Sequence, residues 1–74
     1  MSRQSRRLTA FGKLVAKALV DQDMSKMELA AKIGTTQVYL SNILYGSRSG
    51  EKYIQAIIVT LSLDPDEVQA ALVA

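Results

Sequence analysis

A chain of 74 residues with a net charge of +2 is sized for one domain, with no room for a separate sensor or catalytic module. It has no cysteine and no histidine. A disulfide framework, a thiolate zinc site and the usual general base are therefore excluded, and neither an enzyme nor a bound metal or cofactor is expected. Apolar residues make up 49% of the chain, with only one Phe and three Tyr. That balance suits an all-α, compact bundle built from Leu, Ile, Val and Ala.

The charge is unevenly placed. Residues 1–52 hold all nine Lys and Arg against four acids (Asp21, Asp23, Glu28, Glu51), whereas residues 53–74 hold Asp64, Asp66, Glu67 and no base. Such asymmetry is the footprint of a domain that faces a polyanion with its amino-terminal half. The apolar run 54–63 is about half of what a bilayer span requires. Residues 1–7 are basic but lack the apolar segment of a signal peptide, so a cytoplasmic protein with no membrane partner is expected.

In chain order, residues 1–7 (MSRQSRR) carry three arginines and no apolar anchor, which predicts a flexible basic arm before a domain over 8–74. The arm reads either as a solvated tail or as a segment that condenses on DNA phosphates through Arg6 and Arg7. Thr9 is a predicted N-cap. Leu8, Phe11, Leu14, Val15, Ala18 and Leu19 then mark one stripe of a first helix, with Lys13 and Lys17 on another face. Gly12 inside that helix costs about 1 kcal/mol relative to alanine, so a close neighbour is expected to need the space. Residues 21–23 break the period and lead to Met24, an apolar residue placed to staple onto the next helix.

Residues 26–46, KMELAAKIGTTQVYLSNILYG, predict two short helices joined by a tight turn. Ser25 and Glu28 have the spacing of a capping box, and Leu29, Ala30 and Ile33 form the apolar face. Gly34 comes where a helix ends in a left-handed residue. Thr36 caps the next helix, in which Leu40, Ile43 and Leu44 pack while Gln37, Val38, Ser41, Asn42 and Tyr45 lie off that face; Gly46 is the second stop. After a polar turn over 47–50, residues 53–63 predict a nearly all-apolar helix. Asp64-Pro65-Asp66-Glu67 is a strong start signal for a fifth, running through Val68, Ala71 and Leu72.

The pattern resembles the helix-turn-helix regulators of the lambda-repressor and Cro type over roughly the first three quarters of the chain. Ala30, Gly34 and Leu40 are in register with that family's small residue, turn glycine and branched apolar residue. The run Gly34-Thr35-Thr36-Gln37 looks like the turn and first reading residue of lambdoid phage repressors, and Phe11-Gly12-Lys13-Leu14 resembles a common opening of the first helix. The resemblance implies a five-helix, lambda-repressor-like bundle with the helix-turn-helix at helices 2 and 3, in a bacterial cytoplasm or nucleoid.

It also implies a docking mode in which the second helix of the motif enters the major groove. Gln37 then pairs with adenine, Val38 meets a thymine methyl, and Ser41 and Asn42 complete the base-reading set. Lys26, Thr36, Tyr39 and Arg48 become candidate phosphate contacts. Tyr45 is a further phosphate candidate on the other side of the helix, and for both tyrosines a partly packed ring with an exposed hydroxyl is the preferred reading. The expected partner is a double-stranded operator bound by a homodimer, with residues 68, 72 and 73 or the outward side of 54–63 as the dimer surface; alternatively both are simply core and two copies associate only on DNA. No small-molecule ligand is expected.

Two departures from the family stand out. Many members pair an arginine late in helix 1 with a glutamate late in the recognition helix; here those positions are Leu19 and Leu44. Replacing both members of a buried ion pair by leucine is physically consistent, and the two leucines are expected to touch. Ala16 stands where an arginine is common, which removes one backbone contact. A restriction-modification controller or an antitoxin would share this pattern, and a helical protein-interaction module is the alternative of another class.

Overall fold

The four side-chain caps signalled by the sequence are all made in the computed structural model, which describes residues 7–73. Residues 1–6, Arg6 among them, and residue 74 lie outside the described residues. Five helices follow in order: α1 (Ala10–Asp21), α2 (Lys26–Ile33), α3 (Gln37–Leu44), α4 (Glu51–Leu61) and α5 (Pro65–Leu72), with no strand among the described residues. Thr9, Ser25, Thr36 and Asp64 each accept a hydrogen bond from the backbone of the helix they precede. The Ser25–Glu28 capping box is closed in both directions, at 3.2 and 3.1 Å.

The helix ends share one device. After α1, α2, α3 and α4 a residue takes the left-handed conformation: Asp23 (φ 53°), Gly34 (φ 83°), Gly46 (φ 87°) and Ser62 (φ 55°). In each case the next N–H reaches back five residues to a carbonyl, as in Met24 to Leu19, Thr35 to Ala30, Ser47 to Asn42 and Leu63 to Ile58. These are Schellman closures, which satisfy carbonyls that the helix itself leaves open.

Both ends of one helix differ from the sequence expectation of 53–63. The fourth helix begins at Glu51 and ends at Leu61. Gly50 starts it from a left-handed backbone (φ 65°), which places the Glu51 carboxylate in the first turn where the helix dipole favours it. Ser62 turns the chain two residues earlier than the apolar run suggests.

The core draws on every helix. Val15, Leu29, Leu40, Leu44, Ile57, Leu61 and Val68 are its largest fully enclosed side chains, and no polar or charged residue is buried among the described residues. The middle of the bundle is therefore held by apolar packing alone, with each buried side chain of this size contributing about 1.5 to 3 kcal/mol. α2 and α3 pack on each other across residues 34–36, and α1 packs on α3, α4 and α5. Gln22 Nε2 ties the end of α1 to the Leu61 carbonyl at the end of α4, at 2.8 Å. No helix among the described residues is long and apolar enough to cross a membrane.

Candidate nucleic-acid interface

α3 is a helix of eight residues whose two faces differ sharply. Leu40, Ile43 and Leu44 are buried to 3% exposure or less, while Val38, in the first turn, is 72% exposed. Gln37 is exposed beside it, and Ser41 and Asn42 are half-buried. At 3.6 residues per turn, positions 37, 38, 41 and 42 fall on one stripe opposite the packed one. The four candidate reading residues thus share a face. Thr36 Oγ1 accepts from the Tyr39 N–H at 3.1 Å, which occupies that hydroxyl as an acceptor and leaves its proton available to an outside group.

The candidate phosphate contacts divide between two flanks. On one side, Lys26 and Tyr45 stand on the walls of the same groove, about 410 Å³ in volume, between the end of α1, the start of α2 and the end of α3. Leu19 and Leu44 line this groove too. Both are core residues, 6% and 1% exposed, so two leucines occupy the region where the resemblance predicts an ion pair. Ala16 is on the same wall.

On the other side lies Tyr39, whose ring meets the Tyr53 ring edge-on, with centroids 5.7 Å apart and planes at 69°. The Lys52 ammonium sits 5.8 Å from the centre of the Tyr53 ring. The pairing of Tyr53 with Tyr39 across α4 and α3 was not read from the sequence, which expected α4 to start at residue 53. Arg48, exposed in the following loop, donates its backbone N–H at 3.2 Å to the Asn42 carbonyl, which also takes the Ser47 N–H at 2.8 Å. The loop carrying Arg48 is thereby fastened to the end of α3. Arg7 is exposed ahead of α1.

The acidic end is differently built. Asp64 spends its carboxylate on the Asp66 N–H at 2.8 Å, as a cap. Val68, expected at a dimer surface, is 1% exposed and belongs to the core, because α5 turns that residue inward as it packs on α1. Leu72, Val73 and, on α4, Val59 are exposed at 45%, 73% and 67%.

Comparison with models of protein families, with curated proteins and with solved structures found no match for this chain.

Proposed function

We propose that the chain is a sequence-specific double-stranded DNA-binding transcriptional regulator, a small Cro-like phage or prophage repressor that binds a palindromic operator as a dimer. The observation that carries this reading is the outward stripe on which Gln37 and Val38 are exposed and Ser41 and Asn42 half-buried, on a helix anchored by three buried residues. An amide that both donates and accepts, next to a bare pair of methyls, matches the edge of adenine beside the thymine methyl. In this reading α2 and α3 act as a helix-turn-helix, α2 crosses the sugar-phosphate backbone with Lys26 at its start, and Arg48 follows the reading helix onto a phosphate. The concentration of positive charge in residues 1–52 supports the same orientation.

Repression by such a domain consists of occupying the operator and excluding polymerase. Leu72, Val73 and Val59 are among the exposed apolar side chains, and they are available to a second copy. Selection and sequencing of duplexes from a random pool at physiological salt tests the reading directly. An enriched inverted repeat whose adenine preference is lost in Gln37→Ala supports it; binding without sequence preference that vanishes with salt refutes it.

A second reading is favoured by the 66% exposure of Met27 together with that of Val38. These apolar groups on α2 and α3 suit a helical module that docks a protein partner. Absence of duplex binding by the wild-type chain would select it.

A further inference from the structure

We propose that Thr9, which lies outside α2 and α3, is a positioning residue for base reading: it holds the end of α3 and so sets the pose of Gln37. This rests on the DNA-binding reading above. Thr9 makes three hydrogen bonds at one point. Its hydroxyl oxygen accepts from the Gly12 N–H at 3.0 Å, capping α1. Its hydroxyl proton goes to the Leu44 carbonyl at 3.0 Å, and its own backbone N–H goes to the same oxygen, also at 3.0 Å.

Leu44 is the last residue of α3. Its carbonyl is one of the acceptors a helix cannot satisfy internally, and the Thr9 bonds give it two donors from another helix. They also set the positive end of α1 against the negative end of α3, an attraction between helix termini. Glycines clear the ground on both sides. A Cβ on Gly12 would collide with the Leu44 carbonyl, and a Cβ on Gly46 would come within 2.9 Å of the Thr9 methyl.

The geometry bears on reading because α3 is short. Seven residues separate Leu44 from Gln37, a lever of about 10 Å, so a tilt of about 6° at the held end displaces Gln37 by about 1 Å. A bidentate amide–adenine pair tolerates little of that, since hydrogen bonds weaken steeply with distance and angle. Contacts to phosphates, made through long flexible side chains, tolerate it easily. Loosening the Thr9 bonds therefore erodes preference for a sequence more than it erodes attraction to DNA.

The test uses the full chain and two duplexes of equal length, one selected from a random pool by the wild type and one scrambled. Thr9→Val keeps the shape and removes the hydroxyl; Thr9→Ser restores the hydroxyl. The expected result is a ratio of selected to scrambled affinity that falls roughly fivefold to tenfold in Thr9→Val, with scrambled affinity nearly unchanged, and that returns in Thr9→Ser. Should Thr9→Val fail to fold, Thr9→Asp replaces it, because a carboxylate still caps α1 but has no proton for Leu44. An unchanged ratio, or an equal loss on both duplexes, overturns the proposal. If the wild type itself shows no preference between duplexes, the DNA-reading assignment fails first, before any substitution is made.

Discussion

Gly12 on α1 lies directly against the backbone carbonyl of Leu44 at the end of α3, so close that a methyl group in place of its hydrogen would collide with that oxygen. The contact explains why a helix interior retains a glycine. Alanine would gain about 1 kcal/mol of helix propensity at this position. The obstacle is backbone, which cannot swing aside as the end of a side chain can, and overpacking of this kind costs about 1 to 3 kcal/mol. Gly12→Ala is expected to be destabilised on balance in urea unfolding. A variant as stable as the wild type would show that α1 and α3 separate at no cost.

The leucine pair at positions 19 and 44 lends itself to a double-mutant cycle. Both side chains are buried and line one groove. Leu19→Arg or Leu44→Glu alone places an unpartnered charge there, and each is expected to lose about 3 to 5 kcal/mol of stability. The double variant should recover at least 1 kcal/mol relative to the sum of the singles. Strict additivity in denaturant unfolding would mean that the two positions do not meet.

At the exposed start of α3, Gln37→Ala is expected to leave the melting temperature unchanged and to relax base preference at one position of each half-site, by about 1 to 3 kcal/mol of discrimination. Competition between duplexes differing at that position measures it. Equal discrimination in variant and wild type would remove Gln37 from the reading set.

Tyr39 separates ring from hydroxyl. Its ring is engaged by Tyr53, so Tyr39→Phe should be nearly neutral in stability, while Tyr39→Ala loses an edge-to-face pair worth about 0.5 to 1.5 kcal/mol beyond the area it buries. A drop in duplex affinity for Tyr39→Phe, with stability intact, would instead assign the hydroxyl to a phosphate.

Ser62 ends α4 in the left-handed conformation at φ 55°, where a side chain costs about 1 to 2 kcal/mol relative to glycine. Ser62→Gly is expected to raise stability, by somewhat less than that because glycine also loses more entropy on folding. Thermal unfolding decides the sign, and a lowered midpoint would refute the strain.

Much of the architecture is legible residue by residue. Thr9, Ser25, Thr36 and Asp64 announce four helix starts, and Gly34 and Gly46 announce two stops, because capping and left-handed turns are local chemistry between residues three or four apart. The break over 21–23 was legible too, but the left-handed conformation of Asp23 and the stop at Ser62 were not. Neither residue type demands a left-handed backbone, and each takes it only because the chain must turn there to bring the next helix onto the core. The same reason moved the start of α4 to Glu51, and it set Tyr53 against Tyr39 of α3.

By itself, then, the amino-acid order determined an all-helical domain of five segments, the apolar stripe of each, and the stripe of Gln37, Val38, Ser41 and Asn42 left over on the third. Periodicity and capping carry that information within one helix turn. Tertiary structure alone decided that Thr9 grips Leu44 across 35 residues of chain, that Val68 is core and not surface, and that Tyr39 spends its ring on Tyr53. Those outcomes depend on which helix faces meet at van der Waals distance. Many pairings of faces satisfy the same apolar pattern, and close packing of particular shapes selects among them.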